Sequence, residues 1–291
     1  MRKISHKERK LMEQKPSFKW KNDKEPRLNV HEKDGVVWLS YPTFDREDWL
    51  INAFSTRIGG VSTGHQATMN LSFKQDKSEE AVRENFRRFA DAVGFSTDDL
   101  ILSDQTHTTN VLRVGRSDRG KGFNREKEWR DVDGFITDEP GCALSTFYAD
   151  CVPLYFVDPV RRAIGLSHSG WKGTAHEMGK ATIEAMHREF GTEPADLLCG
   201  IGPSICQDSY EVGEDVARFF DDRFLRKSES VPGKFYLDLW AANKAVLMDA
   251  GVREENITLP NLCTACNADL LFSHRASHGK RGNLGAFLMI K

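Results

Sequence analysis

Three side chains in this sequence suit a single metal ion between them. They are His107 in "DQTHTTN", Cys151 in "YADCVP" and His168 in "LSHSGWKG", and each ends or turns a strand-like run. Two imidazoles and a thiolate suit zinc, and three protein ligands leave a fourth position for water or substrate. The gaps between them are long, so a buried thiol with two satisfied histidines explains the same letters. Asp150, beside Cys151 at the mouth of the apolar run "FYADCVPLYF" (147–156), is harder to place in a core, because a buried carboxylate needs a partner. It is the candidate proton shuttle if the backbone kinks there. On a regular strand, neighbours face opposite ways, and Asp150 would instead orient a histidine ligand.

Two further stretches have the chemistry to hold an anion. In "SHSGWKGTAHE", Ser169 and Gly170 open a glycine-rich turn, Lys172 adds charge, and Thr174-Ala175-His176-Glu177 reads as a capping box starting a helix. A tight turn with a solvated lysine fits equally. In "STRIGG", Arg57 stands beside Gly59-Gly60 and has the fork that grips phosphate or carboxylate, or it is a surface arginine. Cys263-Thr264-Ala265-Cys266 has metal or redox spacing but no second pair, since Cys199 and Cys206 are seven apart. Cys263 and Cys266 are read as core cysteines.

The elements that must position these residues alternate without strict strand–helix order. Asp34-Gly35 marks a turn before the strand Val36 to Leu39. Residues 78–94 read as a helix with Val82, Phe86 and Phe89 on one stripe and Gly94 as its stop. Residues 100–114 read as a strand pair, 115–131 as a charged loop, and 133–159 as two strands around Pro140-Gly141. A strand at 163–173, a helix after it, the stretch "LLCGIGPSIC" at 197–206 and helices near 213–220 and 238–250 follow. The reading is one α+β domain with mixed sheets over 28–291. It is preceded by a basic extension, 1–27, with ten Lys/Arg against four Asp/Glu.

Composition bounds the function. The 291 residues are 39% apolar and 29% charged with a net charge of -2, which does not point to nucleic-acid or membrane partners. No apolar run approaches the ~20 residues of a membrane helix. The basic start lacks a hydrophobic segment behind it, so a cytoplasmic location and six reduced thiols are expected.

Taken in order, "FSTRIGGVS" (54–62), "QTH" (105–107), "DGFIT" (133–137), "ADCVPL" (150–154), "HSGWKGT" (168–174), "GIGPSIC…YEVG" (200–213) and "LFSHR" (271–275) resemble the YfiH/laccase-domain family. Its members are also called polyphenol oxidases or purine nucleoside phosphorylases. The resemblance spans about 50–291 and implies a four-layer α/β/β/α sandwich. It also implies a zinc on His107, Cys151 and His168, with copper as a substitute. The implied reactions are phosphorolysis of adenosine, inosine, guanosine and methylthioadenosine, and adenosine deamination, with purine nucleosides and phosphate as partners. Two departures stand out: Ser169 where many members have alanine, and Gly282-Asn283 where a Gly-Arg pair is common, so that Arg281 would have to substitute.

Rival readings use the same residues. A copper-linked phenol oxidase needs many histidines, and this chain has nine with no His-x-His pair. A metal-free enzyme would use Cys151 as nucleophile and a histidine as base on an amide or peptidoglycan precursor. A cytidine-deaminase-type zinc site needs Pro-Cys-x-x-Cys, but Leu262 precedes Cys263. A non-enzymatic module gripping a nucleotide or partner protein is the fourth reading.

Overall fold

The computed structural model describes residues 16–74, 76 and 78–291. The strands are β1 (Asn29–Lys33), β2 (Val36–Ser40), β3 (Leu50–Ser55), β4 (Leu100–Leu102), β5 (Val111–Arg113), β6 (Gly134–Thr137), β7 (Ala143–Tyr148) and β8 (Val152–Asp158). They continue with β9 (Ala163–Ser169), β10 (Leu198–Ile201), β11 (Glu211–Gly213), β12 (Leu225–Lys227), β13 (Lys234–Leu237), β14 (Ile257–Thr258) and β15 (Leu284–Ile290). The helices are α1 (Glu79–Val93), α2 (Trp171–Ala175), α3 (Met178–Phe190), α4 (Glu214–Ala217) and α5 (Leu239–Asp249).

Two six-stranded mixed sheets dominate, in the orders β1-β2-β3-β15-β7-β4 and β14-β10-β8-β9-β6-β5, and β11-β13-β12 form a small third sheet. The period-2 alternation of a strand makes each large sheet two-faced. On β15, Leu284, Ala286 and Leu288 join a core between the sheets, while Phe287 and Met289 face the other way, toward Val82, Phe86 and Phe89 of α1. On β8, Tyr155 and Val157 enter the central core, while Leu154 and Phe156 pack outward with Ile183 and Met186 of α3 and Leu247 of α5. Helix, sheet, sheet and helix therefore stack as four layers, the sandwich that the resemblance implies. Each fully buried side chain of this kind contributes roughly 1.5–3 kcal/mol.

Helix α1 forms as its sequence predicts. Ser78 Oγ accepts from the Ala81 N–H at 3.2 Å, and Gly94, at φ 101°, takes the left-handed position that ends the helix. Two local expectations need correction. Residues 100–114 contain two strands, but these do not pair: β4 lies beside β7 in one large sheet and β5 beside β6 in the other. The helix after "SHSG" also does not start on Thr174. Gly170 caps the five-residue α2, and α3 begins anew after Glu177, which sits at φ 57°. Thr174 is buried inside α2, its hydroxyl donating to Gly170 O, so it caps nothing.

Residues 1–15 of the basic extension lie outside the described residues. Residues 16–27 run along the 261–267 segment: Phe18 is buried, and the Lys21 N–H donates to Asn261 O.

Candidate metal centre

The chain passes directly from the sheet of β4 and β7 to the sheet of β5 and β8 twice, and each crossing in that direction carries a candidate ligand. His107 lies between β4 and β5, and Cys151 lies between β7 and β8. Both crossings contain a non-glycine residue forced to positive φ, His107 at 67° and Asp150 at 88°. Such conformations cost stability and persist only where the surroundings fix them. His168 comes from β9, on the face that also presents Ile164 and Leu166 to the central core. One ligand atom from each of His107, Cys151 and His168 lies within 4.8 Å of the others. The histidine rings meet edge to face at 4.8 Å. His168 is buried, Cys151 partly buried and His107 exposed, so the trio opens to solvent on one side.

Asp133 organises this trio. Its Oδ1 meets His168 Nδ1 at 2.7 Å and accepts from the His107 N–H at 3.1 Å. Its Oδ2 accepts from the Thr106 and Thr108 N–H groups and from Thr108 Oγ1. One buried carboxylate therefore turns Nε2 of His168 into the centre and shapes the loop that presents His107. Burial works against the charge of Asp133, but the bonds from His168 and this loop outweigh it and hold the carboxyl down to about 2. Burial likewise opposes charging of His168, yet Cys151 and Asp133 push it up to about 9. His107, although exposed on one side, is pushed down by partial desolvation of its ring and by the neighbouring His168. Sequence reasoning missed Asp133. The available signal was its place at the head of "DGFIT", immediately before β6, which pairs with β9 through Gly134 and Ser167.

The other residues singled out in the sequence fall in different places. The backbone at Asp150 does kink. Its carboxylate accepts from Thr264 Oγ1 at 2.6 Å and from the Arg275 N–H at 2.7 Å, and the histidine partner is Asp133 instead. Gly170 stands against the centre: a Cβ there would come within 2.7 Å of His107 Nδ1 and 3.1 Å of Cys151 Sγ. Lys172 is exposed, and its charge acts on His107. The side chain of Ser169 points the other way, being fully buried with Oγ donating to Asn243 Oδ1 at 2.9 Å and 3.0 Å from Thr174 Oγ1. This follows from strand alternation next to His168. Arg57 lies over the Phe272 ring, with Nε and Nη2 on Ala67 O and Nη1 on Ala268 O, so three of its five N–H groups already brace two loops. Arg281 is different. Its charge is felt by Cys151 and Asp150, it is partly buried, its Nη1 donates to Asn283 Oδ1 and Gly282 O, and its Nε has no partner among the described residues. Tyr210 is also within electrostatic reach of Cys151 and Asp150.

The trio fits a soft or borderline metal ion. Imidazole and thiolate suit zinc or copper, and Asp133 supplies the hydrogen bond that ligating histidines usually make. Among the described residues, the second grouping that could hold a metal is all cysteine, Cys206, Cys263 and Cys266. No helix among the described residues is long and apolar enough to cross a membrane.

Comparison with known proteins bears on this arrangement. Residues 51–291 match the family model described as multi-copper polyphenol oxidoreductase laccase. "Purine nucleoside phosphorylase YlmD" of Bacillus subtilis is 33% identical over 247 residues, covering 83% of this chain and 89% of that protein. "Adenosine deaminase RL5", from an unknown prokaryotic organism, is 34% identical over 233 residues, covering 77% and 88%. The crystal structure of YlmD from Geobacillus stearothermophilus superposes with a TM-score of 0.83 at 31% identity, covering 91% of this chain and 100% of that one. A shared fold, a match over most of the chain and relatives at this identity make it a member of the multi-copper polyphenol oxidoreductase laccase family, the YfiH-like group named by its sequence motifs.

Proposed function

We propose that this chain is a zinc-dependent enzyme of purine nucleosides, catalysing phosphorolysis of adenosine, inosine, guanosine and methylthioadenosine together with deamination of adenosine. The observation that carries this reading is the half-open trio His107, Cys151 and His168, locked by Asp133. Relatives named as a purine nucleoside phosphorylase and as an adenosine deaminase support the substrate class. A zinc ion there would supply a Lewis acid for phosphate or water, and copper could take the same ligands.

In phosphorolysis, a phosphate oxygen bonds to the ribose C1′ while the C1′–N9 bond breaks and its electron pair leaves on the purine. Lys172 beside His107, and Arg281 beside Cys151 and Asp150, are the proposed grips on the phosphate. Gly170 keeps the approach open, because any side chain there would enter the centre. Arg57 and Ser169, whose chemistry also suits an anion, support the walls instead. In deamination, water oxygen bonds to C6 as ammonia departs, and a proton must cross to the leaving nitrogen. Asp150 is the proposed relay: Thr264 and the Arg275 N–H fix its carboxylate, and each oxygen keeps a second lone pair.

The test is metal analysis combined with product detection from adenosine, with and without phosphate. Adenine appearing only with phosphate marks phosphorolysis, inosine marks deamination, and hypoxanthine marks both in sequence. Cys151→Ala should lose the metal at this centre and both activities together. Full activity in metal-free protein would overturn the reading in favour of a Cys151 nucleophile.

A further inference from the structure

Cys263-Thr264-Ala265-Cys266 reads from sequence as core cysteines, but folding adds a third sulfur. Cys206, on the loop after β10, closes on both, so that the three Sγ atoms lie within 4.8 Å of one another. All three are free thiols. The hydroxyl of Ser209 faces all of them, at 3.6 Å from Cys206 Sγ, 3.7 Å from Cys266 Sγ and 3.9 Å from Cys263 Sγ. Four tetrahedral ligands at ordinary zinc–sulfur and zinc–oxygen distances stand roughly 3.6–3.8 Å apart. The three Ser209 contacts, 3.6 to 3.9 Å, fall close to these separations, and the three sulfurs, within 4.8 Å of one another, lie near enough to share one ion.

The surroundings suit thiolates. Cys263 Sγ accepts from the backbone N–H of Cys206 at 3.3 Å and of Cys266 at 3.5 Å. Such donors stabilise negative sulfur. The Lys21 ammonium, held by Asp208 at 2.9 Å, acts electrostatically on Cys206 and Cys266. It would offset the surplus negative charge of three thiolates around a divalent ion. Simple packing accounts for buried cysteines one at a time. It does not account for three sulfurs converging on one hydroxyl, with N–H donors and a cation turned toward them.

We propose that Cys206, Cys263 and Cys266 form a second metal site, an all-thiolate site for zinc with the Ser209 hydroxyl at the fourth corner. Every position is taken by protein, which makes the site structural. It ties together the loop after β10, the segment after β14 and the N-terminal segment through Lys21. Thr264, between two of the cysteines, is the residue that holds Asp150 Oδ1 at 2.6 Å. The second site therefore acts on the first centre by fixing the turn next to Cys151.

The experiment uses the full-length protein, stripped of metal under reducing conditions and reloaded with zinc or cobalt(II). The expected stoichiometry is two ions per chain, falling to one in Cys151→Ala and to one in Cys266→Ser. In Cys151→Ala, the remaining cobalt should show sulfur-to-metal charge transfer of three-thiolate intensity. In the wild type, zinc should protect Cys206, Cys263 and Cys266 from alkylation until a chelator is added, a measurement that needs no variant. Full metal retention in Cys266→Ser, alkylation of these three thiols unaffected by zinc, or a disulfide among them as the ground state would each overturn the proposal. If only the first centre is misread, the wild type binds one ion, Cys151→Ala still binds one, and Cys266→Ser binds none.

Discussion

Asp133 joins the two histidines of the centre through one carboxylate oxygen, which lies 2.7 Å from His168 Nδ1 and 3.1 Å from the His107 backbone nitrogen. The geometry of one candidate ligand and the loop of the other therefore depend on a residue outside the trio. Asp133→Asn keeps the shape but replaces one acceptor oxygen with a donor amide. Zinc affinity should fall about 10–100-fold, the usual cost of losing such a partner. A chelator competition titration reads this directly, and an unchanged affinity would remove Asp133 from its assigned role.

Gly170→Ala separates the centre from the fold. The backbone at Gly170, φ -70° and ψ -178°, suits alanine, so global stability should shift by under about 1 kcal/mol. The new methyl would meet His107 Nδ1 at 2.7 Å, and His107 must move. Metal affinity and activity should each drop at least roughly tenfold. Thermal unfolding of the metal-free variant alongside its metal titration checks both halves.

The two arginines should respond differently. Arg57→Met removes three hydrogen bonds to Ala67 and Ala268 and should destabilise the protein by about 2–3 kcal/mol, visible as a lower urea midpoint. Arg281→Met loses only bonds to its chain neighbours Gly282 and Asn283, so it should lower the midpoint less than Arg57→Met, and it should raise the phosphate KM roughly tenfold, the worth of one charge-assisted hydrogen bond. It should spare deamination, which uses no phosphate. Equal loss of both activities would assign Arg281 to something other than the anion.

Acid sensitivity has one local source on α1. Bonds from Arg87, then Arg88, hold the Glu84 carboxyl at about 2, below its ordinary 4.5. A lowered folded value means the stabilisation is present above pH 4.5 and is lost as pH falls from about 4.5 toward 2. The pair is partly solvated, so its worth is discounted to under about 1 kcal/mol. Glu84→Gln should lower stability by that much at pH 7, with the gap closing toward pH 2 and in 1 M salt. A gap unchanged by acid would mean that the charge does not contribute.

The sequence by itself determined the mix of strands and helices and offered His107, Cys151 and His168 as candidate ligands, while the four layers and the zinc are implied by its resemblance to a family. The continuous apolar runs of β8 and β15 mark strands buried on both faces, and the stripe Val82, Phe86, Phe89 marks the inner face of α1, because composition and periodicity are local properties. His107, Cys151 and His168 were legible because few side chains suit a soft metal and each sits where a strand ends. Tertiary structure alone decided which neighbours serve them. The Asp133–His168 bond depends on the pairing of β6 with β9, a long-range event with no spacing rule in the chain. Arg57 and Ser169 carry suitable chemistry, but folding directs one to backbone carbonyls and turns the other away from the centre. Cys206 meets Cys263 and Cys266 only once separate loops close on each other. Local chemistry is written residue by residue, whereas the direction a side chain finally points is set by contacts between segments far apart in sequence.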